Sequence, residues 1–145
     1  MNNNKINWDS FSFITFVEKE LKNSFIILNE KDVVIVKVNT FEDMFNIDKY
    51  VTETPWCIAH YERFWEGYVT MTNNHQYVCF DFSKKNLERN SMYAFTLQKV
   101  KGNYIVKYMY DGHNENVLSS EYKWKYIIDE IISKTIENIL SYSNN

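Results

Sequence analysis

The stretch SMYAFTLQKVKGNYIVKYMYD, residues 91–111, contains two strand-like runs joined by one tight turn. Residues 91–100 and 103–111 are rich in aromatic and β-branched side chains, which are enriched in strands, and Lys101-Gly102 between them is a good turn. These residues therefore predict a β-hairpin. Four alternating side chains of the second run are expected to share one face of its strand: Tyr104, Val106, Tyr108 and Tyr110.

Three more strand-like runs precede this hairpin. Residues 24–38 contain two β-branched runs separated by Asn29-Glu30-Lys31-Asp32, which indicates a second hairpin although no glycine supplies its turn. Residues 75–83 form the remaining run. Its alternation predicts two faces, with Tyr77, Cys79 and Asp81 on one and Val78, Phe80 and Phe82 on the other. The sequence thus predicts about five antiparallel strands.

The remaining periodic segments indicate helices. Residues 8–22 carry apolar side chains at helical spacing, with Asp9 placed to cap the first turn. A pattern close to a capping box predicts a short helix over 41–50, and an isoleucine-rich stripe predicts a long C-terminal helix over about 120–141. This order of elements is typical of an α+β fold. We therefore expect a single α+β domain over 1–145, with helices packed on one face of an antiparallel sheet.

The charge balance and hydropathy argue against several classes of protein. Sixteen Lys and Arg against 19 Asp and Glu give a net charge of −3, whereas nucleic-acid-binding proteins normally show a basic face. The one compact basic run, residues 82–89, is expected to be a solvated loop. No apolar stretch approaches the ~20 residues needed to span a bilayer, and residues 1–10 lack the apolar centre of a signal peptide. We expect neither nucleic acid nor a membrane as the partner.

Cys57 is the candidate nucleophile. If a helix begins at Pro55, Cys57 lies in its first turn, where free amides and the helix dipole stabilise a thiolate. His60 would then share its face and act as the base. His113 is the alternative base, with Asp111 to orient it. If the helix begins near His60 instead, the segment around Cys57 is a core strand and the thiol is inert. Trp56 and Cys57 are expected to be mostly buried, without a histidine nitrogen bonded to the thiol.

The aromatic content suggests a binding surface. Eleven Tyr, ten Phe and four Trp make up 17% of the chain, and tyrosine provides contact area at a low cost in conformational entropy. Core packing is the alternative role for these rings. Five of them are the candidate binding residues: Trp65, Tyr68, Tyr104, Tyr108 and Tyr110.

No metal or cofactor is expected. His75, His113, Asp81 and Asp111 do not stand at recognised ligand spacing. The three glycines are scattered and cannot form a phosphate-binding loop. The two cysteines are expected to be reduced, because a single pair cannot form a disulfide framework.

A succession of short motifs resembles a known pattern. The motifs are TPWCIA (54–59), Trp65-x-x-Tyr68, YVCFDFSKK (77–85), SMYAFT (91–96) and YDGHNE (110–115). Their order resembles that in uncharacterised small proteins of large tailed phages and related mobile elements, over less than half of the chain. The resemblance implies a phage context, and it carries no catalytic residues because that group has no assigned activity.

The leading hypothesis is a phage-type accessory protein that acts by binding a protein partner, without catalysis of its own. The partner would be a virion component or a host factor, and the protein would be found in the host cytoplasm or the virion. Self-association is compatible with the same aromatic surface. The alternative is a small thiol-dependent enzyme with Cys57 as nucleophile. A third hypothesis is a nucleic-acid modulator that uses residues 84–89 together with exposed aromatic rings.

Overall fold

The computed structural model describes residues 8–83, 87–118 and 125–143. In these ranges the α-helices and strands are α1 (Ser10–Glu20), β1 (Phe25–Glu30), β2 (Val33–Val38), α2 (Phe41–Ile47), α3 (Cys57–His60), α4 (Glu62–Trp65), β3 (His75–Asp81), β4 (Met92–Val100), β5 (Asn103–Asp111) and α5 (Lys125–Ser143). Shorter turns connect them: two π-helical turns, Asp48–Thr52 and Glu66–Thr70, and a 3-10 turn, Arg89–Ser91.

The five strands form one antiparallel sheet in the order β1-β2-β3-β4-β5, which confirms the predicted α+β class. Both predicted hairpins are present. Their turn residues adopt left-handed conformations, with φ of 49° and 68° at Lys31 and Asp32, and 51° and 84° at Lys101 and Gly102. Such conformations match the twist of the paired strands. The first hairpin therefore forms without a glycine.

Helices cover both faces of the sheet, so the prediction that they lie on one face is wrong. The core layer under α1 to α4 includes Phe13, Val36 and Phe80, whereas the layer under α5 includes Ile35 and Cys79. The reason lies in β2, which is apolar at neighbouring positions and buries side chains on both faces. Such a strand must be covered on both sides. The predicted alternation along β3 is confirmed. Tyr77 and Cys79 face α5, and Val78, Phe80 and Phe82 face the helices on the other side.

The helix starts follow the capping signals. The Asp9 carboxylate accepts a hydrogen bond from the Ser12 backbone N–H at 2.7 Å, as expected for the cap of α1. Thr40 Oγ1 accepts from the Asp43 N–H at 3.2 Å, which starts α2. The Asp43 carboxylate accepts instead from Ser24 Oγ at 2.6 Å, so it ties the loop after α1 to α2. The predicted helix over 41–50 is α2 followed by the first π-helical turn.

The C-terminal helix α5 packs its isoleucine stripe on the far face of the sheet. Ile128 and Ile131 are buried there, and Asn138 Nδ2 donates to the Ile27 carbonyl at 2.8 Å. Leu140, which the periodicity assigns to the same stripe, is largely exposed. The predicted start near residue 120 lies outside the described residues. No helix in the described ranges has the length and apolarity required to cross a membrane.

A β-bulge divides the tyrosine row of β5. Thr96 pairs with Tyr108 and Leu97 pairs with Val106, so Lys107 is an extra residue between them. The Tyr108 N–H donates to the Thr96 hydroxyl at 3.1 Å at this point. An extra residue reverses the alternation of a strand. Tyr104 and Val106 therefore face α5, and the expectation that all four side chains share one face is wrong.

Candidate functional site

The segment between α2 and β3 packs on the same face of the sheet as α1. A single helical turn, α3, begins at Cys57, and Trp56 before it is in extended conformation. Neither predicted start, Pro55 or His60, is the observed one. Thr54 does not cap this turn, because its backbone N–H and hydroxyl donate to the Asp48 carboxylate at 2.7 and 2.6 Å.

Asp48 organises this segment from inside the protein. Its buried carboxylate also accepts a hydrogen bond from the Thr52 hydroxyl at 2.8 Å. His60 Nε2 lies 3.1 Å from the same carboxylate and 2.6 Å from the Thr54 carbonyl oxygen. A carbonyl oxygen can only accept, so Nε2 carries a proton. No sequence motif marked Asp48, because Thr54 and His60 reach its carboxylate only where the chain turns back after the π-helical turn.

Cys57 and His60 do not form a nucleophile–base pair. The Cys57 side chain lies at a cavity wall, whereas His60 is held by Asp48 and Thr54. In the part of the chain that the structure describes, no histidine nitrogen is hydrogen-bonded to the Cys57 thiol. Burial raises the pKa of this thiol above its usual 9.0, although backbone N–H groups of Cys57 and Ile58 lower it in part. A raised pKa reduces the thiolate that a nucleophile requires.

The other members of the predicted catalytic set have structural roles. The buried Asp111 carboxylate accepts from the backbone N–H groups of His113 and Glu115, at 2.9 and 3.0 Å, so it stabilises a turn. His113 lies in the same turn and is exposed. The Asp111 carbonyl accepts from Trp56 Nε1 at 2.8 Å. As predicted, Trp56 is buried, and this bond joins its segment to β5.

A cavity of about 160 Å³ lies between this segment and the sheet. Trp56, Cys57 and Tyr68 form part of its wall. Its floor is formed by three residues that lie side by side on β3, β4 and β5. Gln76 pairs with Thr96, and Thr96 pairs with Tyr108. The cavity is open to solvent, and none of the described residues in its lining carries a charged side chain.

Gln76 is the most unusual residue of the floor. It is only 1% exposed, and its Nε2 donates to the Tyr77 carbonyl at 2.9 Å. Its Oε1 has no hydrogen-bond partner in the described part of the chain. A buried acceptor without a partner costs about 1–3 kcal/mol. The sequence carried a signal for this residue, because Gln76 is a polar residue on the same strand face as Val78 and Phe80.

A partly exposed row of aromatic rings, which we call the aromatic ridge, leads from the surface to this cavity. Its members are Tyr61, Phe64, Tyr68 and Tyr108. Successive ring centroids are 5.8, 6.3 and 5.3 Å apart. Tyr61 is 56% exposed and Tyr68 is 40% exposed. Tyr68 and Tyr108 also line the cavity, so the ridge and the cavity form one continuous surface.

The structure brings three of the five predicted binding residues together. Tyr68, Tyr108 and Tyr110 line the cavity. Trp65 is only 5% exposed and belongs to the core under the helices. Tyr104 lies on the opposite face, against the α5 layer. Phe64 also belongs to this surface, as do three residues that were not predicted: Tyr61, Gln76 and Thr96.

The remaining candidate features carry no site. Among the described residues, no group of three or more His, Cys, Asp and Glu side chains could hold a metal ion. The basic run falls partly at positions 84–86, outside the described residues. Arg89, at its end, donates to the carbonyl oxygens of Gly112 and Glu53 at 3.0 and 2.8 Å and so connects two loops. No family model, curated protein or solved structure matches this chain.

Proposed function

We propose that the protein is a phage-type accessory protein that acts by binding a partner protein, and that the aromatic ridge is its recognition surface. The observation that carries this proposal is the continuity of the ridge with a solvent-open cavity. Large aromatic rings near a pocket are the usual anchors of protein interfaces.

The composition of the ridge supports a protein as the partner. Arg63 lies over the rings of Tyr61 and Phe64, with its guanidinium carbon 5.5 and 5.1 Å from their centroids. Tyrosine and arginine are the residue types enriched at the energetic centres of interfaces. Because these rings already contact one another, less side-chain entropy is lost when a partner binds.

The phage context comes from the motif resemblance over residues 54–115. It favours a virion component or a host factor as the partner, and the host cytoplasm or the virion as the location. The net charge of −3 disfavours a polyanionic nucleic acid. Catalysis by Cys57 receives no support from the site, since its thiol lacks a paired base.

The test is site-specific crosslinking followed by affinity measurement. A photoreactive phenylalanine analogue replaces Tyr61, and in a matched control it replaces Tyr50, which is 54% exposed elsewhere on the surface. We expect position 61, and not position 50, to crosslink one partner protein in the cells that produce this chain. A second copy of the chain is one of the partners that the experiment would identify.

The affinity of that partner then decides the role of the ridge. Tyr68→Ala is expected to weaken binding by about 30-fold or more, the effect of losing one interface hot spot. Tyr50→Ala is the control and should change the affinity less than about threefold, although its ring also has a cation, Lys49, over it at 5.1 Å. Equal losses in the two variants would contradict the proposal.

A further inference from the structure

Gln76, in the floor of the cavity, has a buried hydrogen-bond acceptor without a partner among the described residues. Gln76 Nε2 donates to the Tyr77 carbonyl at 2.9 Å, which fixes the orientation of the amide because a carbonyl cannot donate. Oε1 is therefore the atom without a partner in the described part of the chain. Native proteins seldom leave such an atom buried. An occupant of the cavity with an N–H or O–H group would satisfy it.

Thr96 provides a donor beside this acceptor. Its hydroxyl oxygen accepts the Tyr108 N–H at 3.1 Å, and within the described ranges its own proton is given to no acceptor. Gln76 and Thr96 are directly paired on β3 and β4, and paired residues on one face lie side by side. A single hydroxyl group could donate a hydrogen bond to Gln76 and accept one from Thr96.

The size and charge of the cavity limit the occupant further. A cavity of about 150 Å³ holds one benzene ring, and this one measures about 160 Å³. Trp56, Tyr68 and Tyr108 offer aromatic walls, which favour a ring in edge-to-face or offset contact. The described residues of its lining carry no charged side chain, which favours a neutral ring. A phenol has this combination of size, neutrality, donor and acceptor.

We propose that the cavity binds the phenol ring of a tyrosine presented by the partner protein, with its hydroxyl between Gln76 and Thr96. This inference rests on the proposed function, because Tyr68 and Tyr108 belong to both the aromatic ridge and the cavity wall. A partner that covers the ridge would therefore place a side chain at the cavity mouth. The phenol donates its proton to Gln76 Oε1 and accepts the proton of the Thr96 hydroxyl.

The test uses p-cresol, which is the tyrosine side chain as a free molecule, and toluene, which is the phenylalanine side chain. Binding is followed by NMR chemical-shift titration of the whole protein. We expect p-cresol to bind about tenfold more tightly than toluene, which corresponds to two hydrogen bonds of ordinary net strength. The largest shifts are expected at the amides of Thr96 and Tyr108.

Gln76→Met tests the acceptor while it keeps the volume of the side chain. We expect this variant to bind toluene as the wild type does, which shows that its cavity is intact, and to lose most of the preference for p-cresol. Gln98→Met is the matched control, because Gln98 bonds to the Thr72 carbonyl outside the cavity lining. This control should retain the tenfold preference.

Three results would overturn the inference. One is equal affinity of the wild type for p-cresol and toluene. Another is tighter binding of 1-methyluracil than of p-cresol, which would indicate a nucleobase site. The third is a shift pattern centred on Val69 and Asn74, because Gln76 also borders a second cavity beside those residues. If p-cresol does not bind preferentially but Tyr68→Ala still weakens the partner complex, the proposed binding function is retained and only the assignment of a phenol to the cavity is contradicted.

Discussion

Gly112→Ala tests the close contact between the loops that carry Gly112 and Arg89. A Cβ at this position would lie 2.5 Å from the Arg89 carbonyl oxygen, 2.7 Å from Arg89 Cα and 2.7 Å from Met92 Cγ. Two of these atoms belong to backbone and cannot rotate away. The Gly112 N–H also donates to that same Arg89 oxygen at 2.7 Å. The added methyl must therefore separate two loops that are directly hydrogen-bonded.

The expected cost follows from these contacts. Overpacking of this kind costs about 1–3 kcal/mol, and weakening the hydrogen bond adds about 1 kcal/mol. We expect a loss of about 2–4 kcal/mol in the free energy of unfolding, which corresponds to a fall in melting temperature of roughly 6–12 °C for a chain of this size. The neighbouring Asp111 carbonyl accepts the Trp56 indole N–H, so the environment of that tryptophan should change as well.

Gly67→Ala is the matched control for this measurement. It makes the same chemical change, but among the described residues no heavy atom outside its chain neighbours and its own helical backbone lies within 4 Å of the Cβ it would add. Gly67 lies in a helical turn, where alanine is favoured by about 0.5–1 kcal/mol. Urea unfolding followed by tryptophan fluorescence compares the two variants. If Gly112→Ala is within about 0.5 kcal/mol of the wild type, the close approach of the two loops is refuted.

Three further predictions concern the buried groups around the site. Asp48→Ala removes the acceptor of three hydrogen bonds and should lower the free energy of unfolding by about 3 kcal/mol in urea titrations; the exposed Asp129→Ala should change it by less than about 0.5 kcal/mol. Burial raises the pKa of the Cys79 thiol above its usual 9.0. The unfolded chain therefore loses this proton at a lower pH than the folded protein, and the free energy of unfolding should fall as pH rises above 9.0. Cys79→Ala should reduce that fall. If the free energy of unfolding of this variant depends on pH as that of the wild type does, the raised pKa of Cys79 is contradicted. Iodoacetamide should modify the half-buried Cys57 before the fully buried Cys79. Its rate should rise with pH as the thiolate forms, and because the Cys57 pKa is raised this rise should continue above pH 9.0. Rapid labelling of Cys57 near pH 6 would favour the thiol enzyme instead.

The sequence predicts those parts of the fold that local patterns control. Asp9 and Thr40 identify helix starts because a capping side chain bonds within three residues of itself. The alternation of residues 77–82 assigns their faces correctly because β3 pairs regularly along its length. In both cases the relevant interactions are set by spacing along the chain.

The site was less predictable because its geometry depends on distant parts of the chain. Trp65 and Tyr68 are three residues apart in the same helical segment, yet Trp65 is buried in the core and Tyr68 is exposed. The base expected beside Cys57 is bonded to Asp48, which lies twelve residues before it in the chain. Gln76 could have been noticed as a polar residue on an apolar face, but its missing partner becomes visible only in the folded protein.

The bulge at Lys107 means that β5 contains one residue more than its pairing with β4 requires. Deleting this residue would make Val106 and Tyr108 neighbours, and regular alternation places neighbours on opposite faces, as these two are now. Tyr108 and Tyr110 would therefore stay at the cavity, and Tyr104 and Val106 would stay against α5. Loss of a single codon at this position would thus leave unchanged the rings that each face of β5 presents.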